Sequence, residues 1–303
     1  MKLKGAVILI IVLTGVACRN SSSKPTEFAF PELDTVPVSE VQKLSPEAIA
    51  DISKNISSPV EIANLLLKLD VPFSQNYLAT SVDANKLSTN FDKAIKLGIL
   101  GADLGYLNMY EKTGSSLDVL SSIRKLAEDI KVGQFFDFES IKRLSKNKSN
   151  LDSLLFISID SYTKIDNYLR DNDRGQLSAL MIIGVWIEGQ YLATQVVSKV
   201  PDKMLMDRVG EQKIILNDLI FLLVPYCNHD SEYSALCKNL QEIKDKYHDV
   251  RITYTQGDPI SVEKDGGLTV TQTETSVVEM SKEQLDGIIE ITKNIRNRLV
   301  VNN

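Results

Sequence analysis

Apolar residues recur at helical spacing through most of the chain, from residue 45 to about residue 250. This period predicts amphipathic helices packed around a common core. Helix starts are marked by residues that cap free backbone N–H groups. They are Ser45 with Pro46, Ser58 with Pro59 and Glu61, Asp230 or Ser231, and Ser281 with Gln284. We therefore predict a mainly α-helical, multi-helix bundle of about ten helices, forming a single domain over residues 45–303.

One segment breaks the helical pattern, at about residues 251–280. It is rich in threonine and valine, and its apolar residues alternate with polar ones. Asp265-Gly266 lies at its centre, and this dipeptide suits the positive φ angles of a tight hairpin turn. We predict one β-hairpin before the C-terminal helix. It either packs on the bundle as a flap or offers an exposed edge to a partner strand.

The N-terminus has the layout of a secretory signal peptide. A positively charged start at Met1–Lys4 precedes an apolar run and then the small residues that end at Ala17. Cys18 follows directly, as in a bacterial lipobox, although Gly15 stands where the strictest form has leucine. We predict a lipoprotein signal peptide over residues 1–17 and lipidation of Cys18; an ordinary signal peptide with an incidental cysteine is the alternative.

The chain after Cys18 has the composition of a linker. Residues 19–44 contain serines and three prolines and show no helical period, which predicts a flexible tether over residues 18–44. Phe28 and Phe30 are unusual in a linker, and docking of these residues would shorten it.

Net charge limits the partners. The formal charge of −6 becomes −8 when Lys2 and Lys4 leave with the signal peptide. This balance argues against binding of nucleic acid and against a polybasic membrane-binding surface. We expect contact with the membrane through the lipid anchor alone. The most apolar later segment, Leu177–Val197, contains Glu188 and two glutamines, which argues against a membrane span.

Catalytic and cofactor motifs are missing from the sequence, and we predict no cofactor. Cys227, His229, Cys237 and His248 lie near one another, but their spacing does not match a structural zinc site, so we predict no metal. In an oxidising compartment Cys227 and Cys237 are candidates for a disulfide. Free buried thiols are the alternative.

Two glycine-rich helical segments carry the candidate site. They are AIKLGILGADLGYLNMY, residues 94–110, and LSALMIIGVWIEGQYLATQV, residues 177–196. Each places one carboxylate, Asp103 or Glu188, on an apolar or aromatic stripe, with a tyrosine three residues later. The glycines would permit close approach of helices, so we predict that the two segments pack side by side with both carboxylates inside.

These carboxylates allow three interpretations. They are structural, with partners inside the protein; or they form a cleft for a small cationic or sugar-like ligand; or they hydrolyse a glycoside. The cleft would be lined by aromatic side chains as well, namely Tyr106, Tyr110, Trp186 and Tyr191. We favour a non-enzymatic binding or interaction protein with a partner in the cell envelope, and keep the ligand-binding cleft and a hydrolase as alternatives.

Several segments resemble those of a group of helical lipoproteins from Bacteroidota. They include SPVEIANLLLKLDVPF, AIKLGILGADLGYLNMYEK, RKLAEDI and GQFFDFESIKRLSKNKSNLDSLL, and the late hairpin followed by a helix is also similar. The resemblance covers most of residues 45–303. It implies a helical fold and a lipid-anchored envelope protein. Lipoproteins of such cells can reach the cell surface when acidic residues closely follow the cysteine. No acidic residue follows Cys18 closely, so the resemblance implies the periplasmic face of the outer membrane rather than the cell surface. That group has no established activity, so the resemblance implies no site residues.

Overall fold

The computed structural model describes residues 26–27, 68–144, 151–264 and 267–301. The described residues form eight α-helices, somewhat fewer than the predicted ten, and the all-α class is confirmed. The predicted helix starts at Ser45 and Ser58 lie outside the described residues, as do Phe28 and Phe30. The helices are α1 Asn90–Met109, α2 Thr113–Asp129, α3 Phe138–Leu144, α4 Leu151–Asp171, α5 Gly175–Val197, α6 Lys203–Leu223, α7 Ser231–Tyr247 and α8 Lys282–Val300.

Side-chain caps begin the later helices where the sequence predicts them. The Asp230 carboxylate accepts hydrogen bonds from the backbone N–H groups of Glu232 and Tyr233 at the start of α7. At the start of α8, Ser281 and Gln284 form a reciprocal capping box. Each cap satisfies N–H groups that the first turn of a helix leaves free.

The centre of the fold is the pair α1 and α5. Helix α5 packs against α1 over most of its length, and it also contacts α4, α6 and α8. A Cβ atom on Gly98 would lie 2.0 Å from the carbonyl oxygen of Met181, and one on Gly184 would lie 2.1 Å from that of Ile95. Only glycine allows the two backbones to come this close.

Two other glycines of α1, Gly101 and Gly105, do not lie at the contact with α5. Among the residues that the structure describes, nothing lies within 4 Å of a Cβ atom added to Gly101 or Gly105. These two glycines therefore do not permit close approach of any described helix, because no described backbone comes near them. The close approach depends on one glycine from each helix.

Helix α5 is long and apolar enough to cross a membrane by composition, with a mean hydropathy of 1.3 over its most apolar window. However, 83% of that window is buried inside the protein. Its apolar character is accounted for by contacts with helices on several sides.

Two long strands precede α8: β2 Arg251–Lys264 and β3 Gly267–Glu279. They form a small antiparallel sheet in the region of the predicted hairpin, and residues 265–266, the predicted turn, lie outside the described residues. Residues 254–275 belong to a compact unit separate from the helical one, which contains residues 27–253 and 276–303. Each unit is compact in itself.

A short strand lies within the predicted tether. Strand β1, Thr26–Glu27, is the neighbour of β2 in the strand order β1-β2-β3. Two residues of the predicted tether, Thr26 and Glu27, are therefore part of a strand.

A disulfide joins Cys227 to Cys237, whose Cα atoms are 5.8 Å apart. Cys227 follows the turn after α6, and Cys237 lies in α7. The predicted disulfide is present, and it links the segment between α6 and α7 to α7.

We expect Gly98→Ala to lower the free energy of unfolding by at least about 2 kcal/mol, because the added methyl group would force α1 and α5 apart. The matched control is Gly101→Ala on the same helix. It adds a methyl group in open space and should be neutral or stabilising by up to about 1 kcal/mol. Denaturant unfolding of both variants checks this; equal effects would contradict the packing.

Reduction of the disulfide should destabilise the protein by roughly 2–3 kcal/mol, since the closed loop is short. The measurement compares unfolding with and without reductant, with Cys227→Ser/Cys237→Ser as a reductant-insensitive control. Two thiols that alkylate freely in the natively purified protein would refute the pairing.

Candidate functional site

The packing of α1 on α5 brings both predicted carboxylates into the interior. Asp103 is 1% exposed and Glu188 is completely buried. A buried carboxylate needs partners, because an unpaired charge in the interior costs several kcal/mol. The partners decide which interpretation of the pair the structure supports.

Arg296, on α8, is the partner of Glu188. Its Nε donates to one carboxylate oxygen at 2.8 Å and its Nη2 to the other at 2.7 Å. This bidentate pair is buried, with the Arg296 side chain 6% exposed. The guanidinium also lies over the ring of Tyr191, 4.4 Å from its centre, so a cation–π contact adds to the pair.

Asp103 has no comparable cation contact. Its Oδ2 accepts a hydrogen bond from the backbone N–H of Ala79 at 2.8 Å, whereas no donor from the described residues reaches its buried Oδ1. Burial raises the pKa of Asp103 well above its ordinary value, and the negative charge of Glu188 raises it further. A proton on Oδ1 removes the unsatisfied acceptor and can be donated to Glu188.

We therefore expect the two carboxyl groups to hold one proton, and we expect it to reside on Asp103. Burial also raises the pKa of Glu188, but the hydrogen bonds and positive charge of Arg296 oppose that rise. Ionised Glu188 then pairs with Arg296 while neutral Asp103 donates to Glu188. The three side chains carry no net charge, which is the arrangement that a dry interior favours.

Side chains of this site also form hydrogen bonds with the backbone of the segment before α1, residues 71–79. The backbone carbonyl of Tyr77 accepts from Nη2 of Arg296 at 3.1 Å. The hydroxyl of Tyr106 accepts from the N–H of Ser74 at 3.0 Å, and the hydroxyl of Tyr110 donates to the carbonyl of Val71 at 2.7 Å. Together with the Asp103 contact, four side chains bind the backbone of residues 71–79.

Aromatic rings from this segment fill the space beside the carboxylates. Phe73 stacks on Tyr106 with 5.5 Å between ring centres, and it also contacts Tyr110. The ring of Tyr77 lies 6.5 Å from that of Tyr106. The predicted cleft is therefore occupied by residues 71–79 of the chain itself, which supports the structural interpretation of Asp103 and Glu188.

The structure brings together five of the six candidate residues, namely Asp103, Tyr106, Tyr110, Glu188 and Tyr191. Trp186 lies elsewhere. It is 2% exposed, and its indole N–H donates to Oε1 of Gln212 on α6 at 2.9 Å. It is not among the side chains around the two carboxylates, because a residue two positions before Glu188 lies on another side of α5.

Arg296 was not singled out in the sequence. It is four residues after the buried Thr292 and eight after the buried Ile288, so it lies on the apolar stripe of α8. A basic residue on such a stripe requires a buried acidic partner. That signal was present, although nothing local in the sequence identified Glu188 as the partner.

The histidines are on the surface beside acidic neighbours. Nδ1 of His229 lies 3.1 Å from Asp230, and Nδ1 of His248 lies 2.8 Å from Asp249. Both cysteines considered as metal ligands are in the disulfide. Within the described ranges, no three His, Cys, Asp or Glu side chains come together as metal ligands.

No protein family, curated protein or solved structure matches the chain. The resemblance to helical lipoproteins of Bacteroidota therefore stays a prediction.

We expect Asp103→Asn to keep the free energy of unfolding within about 1 kcal/mol of the wild type at about pH 4, before the wild type begins to lose the contribution of neutral Asp103. The amide oxygen would accept from Ala79, and the amide N–H₂ would donate to Glu188. Asp103→Ala leaves both partners unsatisfied and should cost more than about 2 kcal/mol. Thermal and denaturant unfolding measure both variants, with exposed Asp118→Ala as a control.

The free energy of unfolding of Asp103→Asn should also depend on pH differently from that of the wild type. Because the pKa of Asp103 is raised in the folded protein, its stabilising contribution is fully present below the unfolded pKa of about 3.9 and is lost as pH rises through the folded pKa. The Asn variant should lack this loss, so its stability relative to the wild type should increase with pH above about 4. A constant difference between the two proteins would contradict the protonation of Asp103.

Proposed function

We propose that the chain is a lipoprotein of the bacterial cell envelope. Cys18 anchors it in the outer membrane, on the periplasmic face, and the helical unit binds a partner without catalysing a reaction. The sequence before Cys18 supports the anchor, since a short charged start, an apolar run and small residues precede the cysteine.

The disulfide between Cys227 and Cys237 supports an exported protein. Disulfides persist in oxidising compartments such as the bacterial periplasm and are rare in the cytosol. Acylation of Cys18 would leave these two cysteines as the remaining thiols of the chain, and both are used in the bridge.

One observation carries the non-enzymatic part of the proposal: the chain's own groups occupy the best candidate site. Glu188 is paired with Arg296, Asp103 binds the backbone of Ala79, and the aromatic rings pack on residues 71–79. Catalytic carboxylates have to reach a substrate, whereas these are sealed inside. The conclusion is that the domain acts through its surface, and the expected partner is another protein of the envelope.

We expect Cys18→Ser to release the protein from the membrane fraction and to abolish its labelling by a clickable fatty acid, because the serine offers no thiol for acylation. Ser22→Ala, four residues later, is the matched control and should stay membrane-bound and labelled. Fractionation, in-gel fluorescence and intact mass measure the two variants. Continued fatty-acid labelling of Cys18→Ser would refute the anchor.

A further inference from the structure

Glu27, the first residue of the helical unit along the chain, interacts with other residues of that unit. Glu27 lies on strand β1, and its carboxylate is 3.7 Å from Nε of Arg251, the first residue of β2. The charge of Glu27 also acts on Lys213 of α6, where it opposes the lowering of the lysine pKa by burial. Two independent interactions thus place Glu27 at one particular face of the unit.

This face can be defined by its residues. Nζ of Lys213 donates to the backbone carbonyls of His248 and Val250, so the loop between α7 and β2 is fixed beside Arg251. His248 and Asp249 are the exposed part of this loop, with side chains 80% and 79% accessible. We call the exposed residues Glu27, His248, Asp249 and Arg251 the loop face.

The loop face is close to Cys18 along the chain. Only residues 19–26 separate Cys18 from Glu27, and such a length of backbone spans at most about 30 Å even when fully extended. A tether that ran free to residue 44 would reach about three times as far when extended. The pairing of β1 with β2 therefore sets the longest distance between the lipid anchor and the loop face.

We propose that the loop face is the membrane-proximal side of the helical unit, held toward the lipid surface by strand β1. This inference rests on the proposed lipidation of Cys18. The face contains both acidic and basic side chains, so strong adsorption to anionic lipid is not expected. The tether length determines the orientation, which should therefore depend little on salt concentration.

Energy transfer from the protein to labelled lipid headgroups tests this orientation. The full, lipidated protein is inserted in vesicles of phosphatidylethanolamine and phosphatidylglycerol that carry an acceptor dye. A donor dye is attached to His248→Cys on the loop face, or to Glu139→Cys on α3. Glu139 is equally exposed and belongs to a helix that packs on α2 and α4. Because Cys18 is acylated and the other cysteines are bridged, the introduced thiol is the only free one.

We expect transfer from position 248 to be about twofold higher than from position 139, given a tether that reaches at most about 30 Å. This ratio should hold between low and high salt. The variant Thr26→Pro/Glu27→Ala removes the backbone N–H group of residue 26 and the ion pair between Glu27 and Arg251. It should lower energy transfer from position 248 to about the level measured from position 139. Thr26→Val, which retains strand propensity, should leave it unchanged.

The outcomes separate the two proposals. If the wild-type protein does not float with the vesicles, the anchor is refuted and this inference with it. If it floats but positions 248 and 139 transfer equally, or if the Thr26→Pro/Glu27→Ala variant keeps the wild-type ratio, the orientation by β1 is refuted while the anchor stands.

Discussion

The buried ion pair between Arg296 and Glu188 connects parts of the chain that lie far apart in sequence. It joins α8 to α5, and through the carbonyl of Tyr77 it also joins both to the segment before α1. Removal of one partner of such a pair typically costs about 3–5 kcal/mol, because the other charge is left buried. The surrounding structure depends on this pair being complete. The raised pKa of Asp103 favours a neutral side chain, which would add no second negative charge beside the pair.

Local patterns in the sequence predicted the elements of the fold well. Helical period, capping residues and alternation were enough for the all-α class, for the start of α7 at Asp230 and for the strands before α8. Each of these features depends only on residues that are close together in the sequence, so one sequence is enough to predict it. The roles of the glycines were less predictable, because only Gly98 and not Gly101 faces the backbone of α5.

The site was predicted only in part, for a physical reason. Asp103 and Glu188 stood out as acidic residues on apolar stripes, and the structure does bury them together. Their partners come from positions that no local pattern connects, since Arg296 is 108 residues from Glu188 and Ala79 contributes only a backbone N–H. Backbone donors have no signature in a sequence, so the occupation of the cleft by residues 71–79 could not be foreseen.

The protonation state of Asp103 tests most directly the claim that these carboxylates are structural. Carbon-13 NMR of protein labelled at the aspartate side-chain carboxyl reports it, and the Asp103→Asn variant assigns the resonance. The account predicts that this resonance stays at the position of a protonated acid at neutral pH, because burial and Glu188 disfavour the charged form. Titration of Asp103 near pH 4, like that of an exposed aspartate, would contradict it.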